Sequence, residues 1–97
     1  MFVLITYDVN TQDPAGRKRL RRVAKQCVNY GVRVQKSVFE CVAEPATIAE
    51  LKSRLTKEID VEKDSLRFYY IGQSKAKTRI EHVGVNEPLN VEEPLIF

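Results

Sequence analysis

The chain has 97 residues, with 16 Lys or Arg against 13 Asp or Glu, a formal net charge of +3 and 43% hydrophobic residues. That length makes one domain, and a domain of this size buries only roughly 60–65% of its unfolded surface, so assembly with a second copy is expected. No apolar run is long enough to span a membrane, and the sequence has no glycine-rich phosphate loop, no Cys-x-x-Cys and too few histidines (one, His82) for a multi-histidine metal site.

Residues 2–7 are a continuous apolar run rich in β-branched and aromatic side chains, as in a strand covered on both faces. Met1 meets this run with no cationic leader, so a cytoplasmic location is expected. Residues 8–13 turn the chain. Asp13-Pro14 then supplies an N-cap and a first helical position. Leu20, Val23, Ala24, Cys27 and Val28 make one apolar stripe at helical spacing, and Gly31 fits the stop. Residues 33–43 form a strand region with apolar groups on both alternations, either one bent strand or two short ones broken near Lys36-Ser37. Pro45 opens a second helix, with Thr47 and Glu50 at capping-box spacing and Ile48, Leu51, Leu55 and Ile59 as its buried stripe. Residues 60–64 are a charged turn, residues 65–73 a strand, residues 72–78 a polar basic loop, and residues 80–85 a weakly alternating strand. Residues 86–97 hold Pro88 and Pro94 and end in the apolar Pro94-Leu95-Ile96-Phe97, which is expected to dock on this chain or a partner.

This order predicts an α+β fold, a ferredoxin-like βαββαβ sandwich with an extra C-terminal strand. Residues 1–80 form the domain and residues 81–97 an extension expected to dock on a partner protomer. Helices cover only one face of such a sheet, and strands apolar on both sides call for a second copy on the other.

Charge is distributed unevenly. From position 14 to position 39 there are eight basic residues (Arg17, Lys18, Arg19, Arg21, Arg22, Lys25, Arg33, Lys36) and no acidic one. Ordinary surfaces mix signs, so this stretch points to a polyanion held through its phosphates rather than its bases. The helix has too few large apolar residues on one face to favour a membrane surface instead. Lys75, Lys77 and Arg79 would extend the basic surface. Asp8, at the end of the first strand, is the sharpest candidate for chemistry. A strand-end Asp is commonly a turn former, but a hard oxygen donor beside a phosphate-binding surface suits Mg²⁺, and a two-fold axis would supply a second Asp8. Asp13 and Asp60 are better explained as cap and turn. Tyr7 and Phe39 are core residues more often than stacking platforms, His82 stands as a lone histidine rather than a general base, and Cys27 and Cys41 read as buried thiols of a reducing compartment.

Three stretches resemble the CRISPR-associated protein 2 family, the small partner of the CRISPR integrase in spacer acquisition and antiviral defence. They are Tyr7-Asp8-Val9, the run Arg19-Leu20-Arg21-Arg22-Val23-Ala24-Lys25, and Gly31-Val32-Arg33-Val34-Gln35-Lys36-Ser37-Val38-Phe39-Glu40. The last is the most specific, although the family often has an aromatic residue at the place of Lys36. The resemblance implies a homodimer with sheets face to face, a C-terminal strand crossing to the other protomer, and Mg²⁺ held by Asp8 of each copy. It places Arg19, Arg22, Arg33 and Phe39 among residues supporting activity or dimerisation, with Arg17 and Arg21 as alternatives within the Arg run. It also implies a metal-dependent endonuclease acting on double-stranded DNA or single-stranded RNA, and a dimeric scaffold for the integrase. Two alternatives stand beside it: a non-catalytic DNA-binding bridge with a vestigial metal site, and an mRNA-cleaving toxin of the same fold.

Overall fold

The computed structural model describes residues 1–72 and 79–85. The basic residues Lys75 and Lys77 and the apolar end at residues 94–97 lie outside the described residues. The elements are β1 (Phe2–Asp8), α1 (Pro14–Tyr30), β2 (Val32–Gln35), β3 (Val38–Val42), α2 (Pro45–Glu58), β4 (Ser65–Ile71) and β5 (Arg79–Gly84). The strands form one sheet in the order β2-β3-β1-β4-β5, antiparallel throughout. This is the expected ferredoxin-like arrangement with one further strand on the β4 side. β5 pairs with β4 of its own chain from Tyr70 opposite Arg79 to Ser65 opposite Gly84. The boundary expected at residue 80 therefore falls inside a strand, because residues 79–84 complete the sheet's hydrogen bonding; the rest of the tail, residues 86–97, lies outside the described residues.

Alternation along β1 sorts its side chains. Val3, Ile5 and Tyr7 are buried beneath the helices with Phe39, Cys41, Leu66 and Phe68 from the flanking strands. From the helices come Val23, Cys27, Ile48, Leu51 and Leu55. Phe2, Leu4, Thr6 and Asp8 face the other way. Among the described residues that second face carries no helix, and Val32, Val42, Ile71 and Ile80 are exposed there.

α1 begins as expected: Asp13 is the N-cap, its carboxylate accepts from Gly16 N at 2.8 Å, and Pro14 occupies the first turn. Val28 leaves the expected stripe and is 57% exposed, because Val23 and Cys27 centre the buried face and a step of one residue beyond Cys27 turns about 100° away. Gly31 stops the helix in extended backbone, at φ −151°. What requires glycine there is proximity, since a Cβ would lie 2.3 Å from the Glu40 carbonyl oxygen. The region after it is two strands joined by a tight turn at Lys36-Ser37. In α2 the cap is Glu44, with no side-chain capping bond. Pro45 at the first helical position fixes the cap one residue earlier, which places Thr47 inside the helix and sets aside the capping box.

Candidate functional site

β1 delivers Asp8 to its end on the helix-free face. In register it stands beside Ser65 of β4, which stands beside Gly84 of β5. Asp8 is exposed. The next row on that face is Thr6, Arg67 and His82. His82 Nε2 is buried and has no hydrogen-bond partner among the described residues.

The loop after Asp8 is tied down closely. Asn10 N donates to Asp64 Oδ1 at 2.9 Å, and Asn10 Oδ1 accepts from Gln12 N at 2.9 Å. The loop backbone also lies against the start of α1, where a Cβ on Gly16 would meet Asn10 O at 1.9 Å. Asp64 is 0% exposed and is the buried charged residue among those described. Arg19 closes on it with two bonds, Nε to Oδ2 at 2.7 Å and Nη2 to Oδ1 at 3.3 Å. Burial pushes the Asp64 carboxyl up, but the Arg19 guanidinium and the N–H groups of Asp60 and Asn10 outweigh it and leave its pKa below the usual carboxylate value. The Asp64 hydrogen bond holds the Arg19 pKa above the usual guanidinium value.

The other basic residues of α1 behave differently. Arg17, Lys18, Arg21, Arg22 and Lys25 are all exposed. Asp13 and Asp60 serve as cap and turn, Asp60 Oδ1 accepting from Glu62 N at 2.9 Å.

Arg33 and Phe39 form a separate group across β1. Phe39 is 0% exposed, stacks on Tyr7 at 6.0 Å between centroids, and lies under the Arg33 guanidinium at 5.2 Å. Tyr7 Oη donates to the Lys36 carbonyl at 3.3 Å, and burial pushes the Tyr7 phenol up. Phe39 therefore packs the core that supports β1, while Arg33 covers it with a cation–π contact and keeps its charge at the surface. Of the residues singled out from sequence, Arg19 reaches the loop after Asp8 only through Asp64, Arg33 and Phe39 meet each other, and Arg22 lies with the other exposed cations of α1. Asp64 was missed: it reads as one of several acids in a charged turn, and the signal for it was that it leads directly into the apolar strand beside Asp8.

No group of three or more His, Cys, Asp or Glu residues among those described converges to hold a metal. One exposed carboxylate at a strand end fits Mg²⁺ as a single ligand, since that ion keeps several waters and takes one or two carboxylates with substrate phosphates. A fuller site needs donors from a second copy.

The family model described as CRISPR associated protein Cas2 matches residues 1–79. A protein of Chlorobaculum tepidum named CRISPR-associated endoribonuclease Cas2 is 57% identical over 97 residues, all of both chains. One of Halalkalibacterium halodurans named CRISPR-associated endonuclease Cas2 is 55% identical over 97 residues, again all of both chains. The crystal structure of Streptococcus pyogenes Cas2 at pH 6.5 superposes with a TM-score of 0.70 at 57% identity, covering 81% of this chain and 99% of that one.

Proposed function

The chain belongs to the CRISPR-associated Cas2 family, and from that premise we propose that it is a metal-dependent endonuclease, built as a homodimer, that cleaves phosphodiester bonds in nucleic acid. The observation that carries this reading is Asp8: an exposed carboxylate at the end of β1, on a helix-free apolar face, in a chain whose adjoining helix is studded with exposed cations. Two copies stacked through that face about a two-fold axis parallel to the strands bury the exposed valines and isoleucines and bring a second Asp8 toward the first. Each residue then has a task. Asp8 of both protomers holds Mg²⁺. Arg17, Lys18, Arg21, Arg22 and Lys25 hold the phosphate backbone and set its approach without reading bases. Tyr7, Phe39 and Arg33 support β1 from below. Bound Mg²⁺ supplies Lewis-acid stabilisation of the charge that develops on the phosphoryl oxygens and lowers the pKa of bound water.

The names of the relatives divide between endoribonuclease and endonuclease, so the test uses both substrates. Duplex DNA and single-stranded RNA are incubated with wild type and Asp8→Asn, in Mg²⁺ and in chelator. Metal-dependent cutting by wild type alone is the expected result, and the substrate that is cut names the activity. Equal cutting by both proteins, or none by either, overturns the catalytic reading. A second reading has its own observation: the exposed cations of α1 need no Asp8 in order to bind. On that reading the dimer is a DNA-binding platform that serves the CRISPR integrase, and duplex binding persists in Asp8→Asn.

A further inference from the structure

Asp64 has no part in the chemistry above, yet it is the most constrained side chain near Asp8. Both of its oxygens are fully engaged. Oδ1 accepts from Asn10 N at 2.9 Å and Arg19 Nη2 at 3.3 Å; Oδ2 accepts from Asp60 N at 2.9 Å and Arg19 Nε at 2.7 Å. Its backbone joins further segments: Asp64 N donates to Asp60 O at 2.8 Å, and Asp64 O accepts from Val85 N at 2.8 Å. Gly84, at φ +103°, admits this contact, since a Cβ there would lie 2.0 Å from Asp64 O.

These bonds flank Asp8 along the chain beyond it and on its β4 side, while Tyr7 N donates to Ser37 O on the β3 side. Asn10 is two residues beyond Asp8, in the loop that follows β1. Ser65, its register partner on β4, is the residue after Asp64. Gly84, next in the row, is packed on the Asp64 carbonyl. One buried residue thus ties these elements together: its carboxylate joins the loop after β1, the turn before β4 and α1, and its backbone carbonyl joins the end of β5.

We infer that the Asp64–Arg19 pair is the device that positions Asp8, and that Arg19 is a positioning residue rather than a phosphate ligand. The inference rests on the assignment of Asp8 as the metal-holding carboxylate. The guanidinium edge that would make a two-pronged contact with phosphate is closed on Asp64, and its side chain is only 14% exposed. A residue that orients a ligand without touching the ion still governs metal-dependent rate, because small displacements of a ligand cost much of the activity.

The test uses the full chain with Asp64→Asn and Arg19→Lys. Asp64→Asn keeps the shape but turns one acceptor into a donor facing N–H groups. Arg19→Lys keeps the charge but loses the two-pronged clamp. Three quantities are measured: metal-dependent cleavage, the Kd for duplex DNA in chelator, and amide hydrogen exchange at Val9 and Asn10. Both variants are expected to lose about 10- to 100-fold in cleavage, to exchange faster at those two amides, and to leave the Kd in chelator at the wild-type value. The inference is overturned if cleavage and exchange stay at wild-type values. It is also overturned if Arg19→Lys weakens binding in chelator while Asp64→Asn, which frees the guanidinium, strengthens it; Arg19 is then a phosphate ligand. Should Asp64→Asn fail to fold, Arg19→Lys decides alone, since it keeps the Asp64 bonds to Asn10 and Asp60. Should wild type cut nothing, the nuclease reading fails, while exchange and binding still judge the pair.

Discussion

Replacing Asp64 by Ala removes an acceptor that four hydrogen bonds share. The N–H groups of Asn10 and Asp60 then face a small cavity without partners. Each unsatisfied buried donor costs about 1–3 kcal/mol, so the two together cost about 2–6 kcal/mol before any loss at the Arg19 side. A domain of this length has roughly 5–15 kcal/mol in all, and about 4–8 °C of Tm is lost per kcal/mol. Asp64→Ala is therefore expected to lower Tm by at least about 8 °C, and Asp64→Asn, which keeps one acceptor, by less. Thermal unfolding followed by circular dichroism checks this, at one fixed protomer concentration because dimerisation shifts the apparent midpoint. The pH dependence gives an independent sign. The folded Asp64 carboxyl is depressed below its ordinary value, so the stability it contributes is present above the unfolded-state pKa and is lost as pH falls through the folded one. Asp13 and Glu81 are depressed as well and act in the same direction. Wild type should thus lose stability in acid more steeply than Asp64→Asn, which retains only the other two. A Tm for Asp64→Ala within about 2 °C of wild type, or identical acid slopes in the two proteins, would refute the reasoning.

Two further outcomes follow from exposure. Replacing Arg17, Lys18, Arg21 and Arg22 by Ala removes surface cations without touching the core, so the urea midpoint should hold. The dependence of duplex affinity on salt should flatten by about 0.9 in log–log slope for each phosphate that is no longer neutralised, and an unchanged slope counts against α1 as the phosphate-binding face. Burial pushes the Cys27 thiol up to about 12 and the Cys41 thiol above its usual value. A thiol reagent at pH 8 should label neither until the protein is denatured, and rapid labelling of the native protein would contradict their burial.

What sequence reasoning recovered, and what it missed, divides by the range of the interaction. β1, α1 and α2 were legible because alternation, an Asp-Pro start and a 3.6-residue stripe are local signals. The buried set Ile48, Leu51, Leu55 and Ile59 came out whole for the same reason. The break at Lys36-Ser37 stayed open, since both alternations there carry apolar groups and only pairing with β1 shows which strand each belongs to. Asp8 was legible as the last residue of an apolar strand. Phe39 and Arg19 drew attention through family resemblance, but their surroundings depend on distant residues: Phe39 lies in the core beside Tyr7, and Arg19 finds Asp64 across 45 positions of sequence. A carboxylate in a charged turn gives no local sign of being fully buried. That property belongs to the contact between two loops and a helix.

The register of the helix-free face also constrains how two copies can meet. Its rows run from polar to apolar: Asp8 with Ser65 and Gly84, then Thr6 with Val38, Arg67 and His82, then Leu4 with Glu40, Tyr69 and Ile80, then Phe2 with Val42 and Ile71. A two-fold axis lying in the interface, across the strands at the Asp8 row, would set the apolar rows of the two copies at opposite ends, about 27 Å apart at the Leu4 row, given about 3.4 Å per residue. Moving that axis to the Leu4 row unites the apolar rows but parts the two Asp8 residues by the same span. An axis parallel to the strands instead lays each row on its counterpart, apolar on apolar and Asp8 toward Asp8. Only this last arrangement both buries the exposed apolar side chains and builds a carboxylate pair, and it suits sheets packed about 10 Å apart. Leu4→Arg should then give a folded monomer by sedimentation and abolish metal-dependent cleavage, because the desolvated guanidinium would meet its own copy. Asp8→Cys should cross-link to its partner under mild oxidation, with the buried Cys27 and Cys41 taking no part. If Asp8→Cys stays uncrosslinked in a protein that still sediments as a dimer, the axis lies elsewhere, and each Asp8 would have to hold its metal with donors other than its own counterpart.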